Sequence, residues 1–398
     1  MDGSLQAVKG VLPIAIHAKK EGFKGILLPH QNANEAAVVQ DFEVYGFHHL
    51  SEVIAFLKQE KDFSPISFDQ QVMTAFPDDD LLDFKDVKGQ ENVKRAMEVA
   101  AAGGHNMIMI GSPGSGKTML ARRLPTILPP MTIEEALETT KIHSVAGKIQ
   151  NNHSLITSRP FRSPHHTISD VALVGGGSWP QPGEISLAHH GILFLDELPE
   201  FRRAVLEVLR QPLEDRKITI SRSKFSVEYP ANIMLIASMN PCPCGYYNHP
   251  TKECNCPPGA VQKYLSKISG PLLDRIDIHP VELDKITNSS DSEPSSVVRA
   301  RVIAARAIQT QRFQSYPGIY CNAQMTSPLL KKYCPLDDKC VALLKIAMQR
   351  FGLSARAYDR IIKLSRTIAD LDHNEKITPQ YIAEAIQYRS LDKDGWGG

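Results

Sequence analysis

Gly111-Ser112-Pro113-Gly114-Ser115-Gly116-Lys117-Thr118 decides how this chain is read. The stretch fits G-x-x-x-x-G-K-[ST] at every specified position, and its flanks supply what that pattern needs. Met107 to Ile110 is a short apolar run that predicts a buried strand, and Lys117 to Leu124 predicts the start of a helix. Glycines at such a junction let backbone N–H groups converge on phosphate oxygens, where the positive end of the helix dipole already points. Lys117 would reach the β and γ phosphates, and the Thr118 hydroxyl would ligate Mg²⁺. A glycine-rich turn matching by chance would have no reason to sit between a strand and a helix.

The next informative stretch is Ile192-Leu193-Phe194-Leu195-Asp196-Glu197. Four apolar residues put Asp196 at the C-terminal edge of a buried strand, where open parallel sheets bind their ligands. Asp196 is expected to share the Mg²⁺ with Thr118, and Glu197 to orient and deprotonate an attacking water. Alone, an acidic pair after an apolar run is more often a strand end meeting solvent; the phosphate loop upstream favours the chemical reading. A third strand, Ile233 to Ala237, leads to Asn240. Its amide either positions that water or serves the turn before Pro241, and the sequence does not separate the two.

Short apolar strands alternating with helical patterns predict an α/β fold, a parallel sheet flanked by helices. Residues 81–286 are assigned to it, and the Ser, Asn and Asp-rich run 287–296 to a linker. Residues 297–395 then read as all-helical. Ser295 or Ser296 is expected to cap one helix, Ser354 another, and Thr378 with Pro379 begins a third. Residues 1–62 read as a small α/β unit with strands at Gly25 to Leu28 and Val44 to Phe47 and a helix from Ser51 to Leu57. Asn32 with Glu35 looks like a capping box there. Residues 63–80 are read as a linker.

Bulk properties narrow the setting. With 42% hydrophobic and 22% charged residues over 398 positions, the chain is ordinary globular material for two or three domains. The net charge of +1 does not by itself advertise nucleic acid or membrane. No apolar run approaches the roughly 18 residues that cross a bilayer, and the first ten residues lack a signal-peptide pattern. Seven cysteines, an odd number, fit a reducing compartment. A soluble, cytoplasmic protein without a membrane partner is expected.

Taken in order, several phrases resemble the Mg-chelatase-like AAA+ ATPases of the ComM/YifB group. They are Gly111–Thr118, Arg159-Pro-Phe-Arg-Ser-Pro-His-His166, Gly191–Leu198, Asn240-Pro-Cys-Pro-Cys-Gly245, Gly270-Pro-Leu-Leu-Asp-Arg-Ile-Asp277 and Gly352-Leu-Ser-Ala-Arg356. The resemblance implies an AAA+ P-loop module with an all-helical lid, preceded by the remnant of a Lon-protease-like domain from which most of that domain is missing. No peptidase nucleophile and base are visible in it. It further implies Asn240 as sensor 1, Arg275 as an arginine finger acting on a neighbouring subunit, and Arg356 as sensor 2. Val87, Lys88, Gly89 and Gln90 match the segment that usually touches adenine, and Met119 completes the nucleotide-contacting set. A permanently charged, planar guanidinium suits the phosphoryl transition state, although either arginine also reads as a surface ion pair. Relatives of this kind form rings, usually hexamers, and the best-known branch resembles a DNA branch-migration motor of natural transformation. Single-stranded or branched DNA is thus the expected partner; a protein-remodelling ATPase is the alternative.

Lys217 to Tyr229 alternates apolar and polar residues like a hairpin, with Ser221, Arg222 and Ser223 at its turn. Lys217, Arg222 and Lys224 would line a ring's channel and track phosphates, or simply keep a surface hairpin soluble. Gly175-Gly-Gly177 and Trp179-Pro-Gln-Pro182 suggest a flexible loop, a second pore candidate. His165 and His166 are assigned no chemistry. Cys242-Pro-Cys244 and Cys254-Asn-Cys256 are two C-x-C pairs that can close a structural zinc site, with His249 as a substitute ligand, or stay reduced thiols in a polar loop. The remaining cysteines, Cys321, Cys334 and Cys340, are expected to be packing residues.

Overall fold

The computed structural model describes residues 2–67, 82–149, 155–177, 180–221, 226–249, 251–280 and 292–389. The N-terminal unit runs α1 (Val11–Lys20), β1 (Gly25–Pro29), α2 (His30–Ala37), β2 (Glu43–Phe47) and α3 (Leu50–Leu57). Next come α4 (Glu91–Gly103), β3 (Met107–Ile110), α5 (Lys117–Arg123), α6 (Ile133–Val145), β4 (Phe161–Arg162), α7 (Asp170–Val174), β5 (Gly175–Gly176), β6 (Gln181–Pro182), α8 (Glu184–Leu187) and β7 (Ile192–Leu195). After β7 follow α9 (Arg203–Glu207), α10 (Arg210–Asp215), β8 (Lys217–Ser221), β9 (Ser226–Pro230), β10 (Met234–Met239), α11 (Ala260–Leu265) and α12 (Gly270–Leu273). Helices α13 (Ser295–Phe313), α14 (Ser327–Tyr333), α15 (Asp338–Phe351), α16 (Ala355–Leu371) and α17 (Pro379–Gln387) close the chain.

The central sheet is parallel in the order β3-β10-β7-β4. Beyond β3, Ile278 and Pro280 accept hydrogen bonds from Ile108 and Ile110, which extends the sheet by one more segment. Strands buried on both faces need no polar alternation, and each of these splits its apolar residues between two cores. Met107, Met109, Ile192, Phe194, Met234 and Ile236 face one, while Ile108, Ile110, Leu193, Leu195, Leu235 and Ala237 face the other. Being parallel, β3, β7 and β10 end on the same side, so their C-terminal loops meet there.

The C-terminal part is all-helical, as expected, and packs on the sheet domain through α4. Helices α13 and α16 pack on α4, and their apolar residues join the same core as one face of the sheet. A buried polar cluster fixes the arrangement. Asp370 accepts from Arg312 at 2.6 and 2.7 Å, from Asn322 at 2.7 Å and from Arg366 at 3.0 Å. Asp277, also buried, pairs with Arg360 of α16 and accepts from the Asn106 backbone at 3.1 Å. A buried carboxylate that receives several donors is stabilised in place, whereas an unpaired one would be costly.

Four expectations need correction. Asn32 and Glu35 do not cap α2, whose N-cap is Pro29. They are buried, and Asn32 holds both backbone groups of Val8 at 2.9 Å. Glu35 accepts from the Leu12 backbone at 3.0 Å and from the Ser144 hydroxyl of α6, which docks the N-terminal unit on the sheet domain. Residues 63–67 are not linker: Phe63 packs on Phe47 and Phe56, and the Ile66 backbone donates to Val44 at 2.8 Å. The N-cap of α13 is Pro294; Ser295 instead accepts from the Phe84 backbone at 2.9 Å. Gly175–Gly176 and Gln181–Pro182 pair as a small antiparallel element instead of a loose loop, while Trp179 lies outside the described residues. Among the described residues no helix is long and apolar enough to cross a membrane.

His189 and His190, just before β7, face Glu138 of α6. Their Nε2 atoms lie 3.2 and 2.8 Å from Glu138 Oε2, so the three side chains resemble a metal-ligand set. The His189 tautomer argues otherwise. The Asn232 backbone N–H donates to His189 Nδ1 at 3.0 Å, which puts the His189 proton on the Nε2 facing the carboxylate, while His190 Nδ1 lies 3.4 Å from the Asn232 amide and 3.5 Å from Glu135 Oε1. This is a hydrogen-bonded brace between α6, β7 and β10. Burial, aided by the neighbouring His189, pushes His190 down to about 4, against the pull of Glu138 and Glu135. A histidine depressed in the fold stabilises above its unfolded pKa, and that stability is lost as pH falls from about 6.5 towards 4, on the order of 3 kcal/mol in all. Melting curves between pH 7 and pH 4.5 should show this loss, and His190→Gln should flatten the slope; an unchanged slope would refute the assignment.

Candidate functional site

The strand ends of β3, β7 and β10 bring the sequence-predicted residues of the phosphate site together. Gly114 and Gly116 have φ of 81° and 85°, a region that residues with a Cβ rarely adopt, so the loop can turn its amides inward before α5 begins. Gly111 N–H donates to Met239 O at 3.3 Å, tying the loop to the sheet. Lys117 Nζ lies over the loop, 2.8 Å from Gly111 O, 2.9 Å from Ser112 O and 3.2 Å from Asn240 Oδ1. Asn240 therefore reaches the phosphate loop and does more than serve the turn before Pro241.

Asp196 collects the oxygens. Thr118 Oγ1 donates to its Oδ2 at 2.6 Å, the Ser238 hydroxyl donates to its Oδ1, and Glu197 N–H donates to the same Oδ1 at 3.1 Å. The set is all oxygen, the donor type that Mg²⁺ takes, so Thr118 and Asp196 fit that ion. Glu197 sits in the left-handed region at φ 54°, uncommon for a residue with a side chain, and the side chain is 59% exposed. The turn aims that carboxylate out of the sheet instead of along it. His166 Nδ1 lies 3.9 Å from its Oε2, so the histidine given no chemistry belongs beside the acidic pair.

Two residues of the expected adenine segment have defined contacts. Val87 is buried and its carbonyl accepts from Ser292 at 2.6 Å. Gln90 Nε2 donates to Ser115 O at 2.5 Å and clamps the phosphate loop from the start of α4. Met119 is half-exposed, its Cε beside Gly116.

Arg275 and Arg356 lie away from this loop and close to one another. Arg275 donates to Pro271 O at 2.6 Å and pairs with Glu214 at the end of α10, leaving the residue only 9% exposed. Arg356 is 63% exposed, with Nη1 3.8 Å from Asp274. Glu214 is held below the usual carboxylate range by its bond to Arg275, with Arg356 and Arg210 adding their charges. Nothing in the sequence joins Glu214 to Arg275; only the fold does.

The hairpin β8–β9 forms as expected, with Ile218, Ile220 and Tyr229 buried against the sheet's second core. Tyr229 donates to Pro180 O at 2.9 Å, so the hairpin leans on the β5–β6 element. Lys217 is spent on Glu228 at 2.8 Å, while Arg222 and Lys224 lie outside the described residues. The four cysteines converge: Cys242 Sγ is 3.3 Å from Cys244 and 3.7 Å from Cys254, and Cys244 is 3.5 Å from Cys254. All four Sγ atoms, Cys256 included, lie within 4.8 Å of one another. His249 is not a substitute ligand, since its Nδ1 accepts the Thr251 and Lys252 backbone N–H groups at 3.2 and 3.1 Å. Cys321, Cys334 and Cys340 are buried singly.

A phosphate loop after one parallel strand, with an acidic pair ending the next strand but one in the sheet, defines a P-loop ATPase of the AAA+ class. Residues 83–290 match the family model of magnesium chelatase, subunit ChlI, and residues 292–389 match that of the ChlI C-terminal region. The chain belongs to the magnesium-chelatase-like AAA+ ATPases of the ComM/YifB group. It is 43% identical over 398 residues to the competence protein ComM of Haemophilus influenzae, covering 98% of this chain and 76% of that protein. To YifB of Salmonella typhimurium it is 42% identical over 401 residues, with 99% and 76% covered. A shorter match, 30% over 159 residues, relates it to Lon protease 2 of Bacillus subtilis, covering 36% of this chain and 27% of that protein.

The clamp by Gln90 has a measurable consequence. Gln90→Ala should weaken binding of a fluorescent ATP analogue severalfold, as loss of about one hydrogen bond implies, without lowering the melting temperature of the free chain by more than a few degrees. Wild-type affinity would show that the amide does not set the loop.

Proposed function

We propose that this chain hydrolyses ATP within a ring of its own copies to move single-stranded or branched DNA in recombination, a reading supported by its likeness to a competence protein. The observation that carries the reading is the phosphate site assembled at the strand ends, where Lys117 lies over the loop and Thr118 meets Asp196, with the β8–β9 hairpin running into the strand that ends at that site. Heterologous contacts between identical subunits close into rings when the rotation permits, and put one copy's edge against the next copy's site.

Lys117 and the loop amides bind the phosphates, with Thr118 and Asp196 holding Mg²⁺, which when bound supplies positive charge at the phosphoryl oxygens. Glu197 accepts a proton from the attacking water, and Asn240 keeps Lys117 and that water in register. Arg275 is assigned to the nucleotide of the adjacent copy as an arginine finger, and Arg356, close to it through Asp274, is assigned as sensor 2. In the single chain Arg275 is occupied by Glu214, so engaging a neighbour's phosphate exchanges one carboxylate for another anion. Arg222 and Lys224 contact the DNA backbone from the hairpin turn. The four cysteines hold one zinc ion.

Arg275→Ala should bind ATP normally and lose about three orders of magnitude in turnover. Mixed with Lys117→Ala subunits it should regain part of that turnover, because each mutant supplies what the other lacks; no recovery at any ratio would exclude action between subunits. Forked or single-stranded DNA should stimulate the ATPase, and the stimulation should fade between 50 and about 200 mM salt as counterions compete. Activation by an unfolded protein with indifference to every DNA would instead select the protein-remodelling alternative.

A further inference from the structure

The cysteine loop begins where the sheet ends. Met239 O receives Gly111 N–H, Asn240 receives Lys117, and Cys242, fully buried, comes two residues later. The chain then folds back on itself: Gly245 N–H donates to Cys242 O at 3.0 Å and Tyr247 N–H donates to Cys242 Sγ at 3.3 Å. N–H groups aimed at a cysteine sulfur stabilise it as thiolate, the form a metal binds. This turn carries Gly245 onto Pro113, the third residue of the phosphate loop. A Cβ on Gly245 would stand 2.3 Å from Pro113 Cδ, and its φ of 84° independently demands glycine.

Packing does not explain why the loop holds this shape. Between Cys242 and Cys256 the described side chains are mostly polar or exposed, and although Cys242 is buried, none of them belongs to an apolar cluster. Four thiols nevertheless meet, with separations of 3.3, 3.5 and 3.7 Å among Cys242, Cys244 and Cys254. A tetrahedron of sulfurs at a Zn–S distance of about 2.3 Å has edges of about 3.8 Å, so the site is the size of a single ion. A multi-iron cluster would spread the sulfurs further apart, and four sulfurs with no oxygen donor select a soft ion such as zinc over Mg²⁺.

We propose that a structural zinc ion, bound by Cys242, Cys244, Cys254 and Cys256, presses Gly245 against Pro113 and thereby sets the phosphate loop, so that nucleotide affinity depends on this metal. The inference rests on the reading of Gly111–Thr118 as the nucleotide site. Metal binding contributes directly to folding of a loop that has no core of its own, and here the folded loop is a wall of the loop next to it. Pro113 is the point of transmission because its ring is rigid and lies flat against a residue with no side chain to yield.

The test uses the full chain. Elemental analysis should find about one zinc per chain, and a zinc-selective chelator that leaves Mg²⁺ in place should weaken binding of a fluorescent ATP analogue roughly tenfold, reversibly on adding zinc. Gly245→Ala, which keeps all four thiols, should retain the zinc yet bind the analogue more weakly. In Pro113→Ala, removing zinc should no longer change affinity. Absence of bound metal in a chain that binds the analogue normally would overturn the zinc site while leaving the ATPase reading intact. Bound zinc whose removal leaves affinity unchanged would overturn the coupling; so would wild-type affinity in zinc-loaded Gly245→Ala, which decides the matter if the stripped protein unfolds. Failure of the zinc-loaded chain to bind the analogue at all would overturn both readings.

Discussion

The Asp196 carboxylate is the point on which this structure turns. It ends β7, it is reached by Thr118 from α5 and by Ser238 from β10, and it accepts the backbone of the residue after it. Three elements distant in sequence thus share one anion. Because the strands are parallel and buried on both faces, their ends cannot shift independently without breaking the two cores that their alternating side chains fill. The geometry of the phosphate site follows from the sheet, and the sheet tolerates little else.

Charge elsewhere is arranged to join large pieces. Asp370 gathers α13 and α16, Asp277 joins the end of the sheet to α16, and Glu35 docks the N-terminal unit on α6. Each is a buried or nearly buried carboxylate whose removal of a partner would strand a charge, so these links hold specific arrangements even where their net stabilisation is small. Glu214 differs in being largely exposed, and its partner Arg275 has another employment in the proposed ring.

Much of the site was legible in the sequence because it is local. The eight residues from Gly111 to Thr118 carry their own backbone requirements, and the apolar run before Asp196 announces a buried strand. The hairpin was legible for the same reason, since period-two alternation needs no knowledge of the rest of the chain. What stayed hidden depends on distant partners. Gln90 meets Ser115 and Glu214 meets Arg275 only after folding, and Asn32 with Glu35 imitates a local cap while serving tertiary contacts. Helix α1 escaped notice because it buries only Val11, Leu12 and Ala15 and its N-cap, Gly10, offers no side-chain bond. The cysteine spacing suggested a metal, but nothing in it pointed to Pro113.

Helices α13 and α16 share a core with the sheet through α4, and this has a mechanical consequence. Because the helical half and one face of the sheet fill a single core, a displacement of α13 or α16 would be felt at the strand ends that position Lys117 and Asp196. The same packing would let occupancy of the phosphate site be read out at the far helices without any dedicated connecting rod.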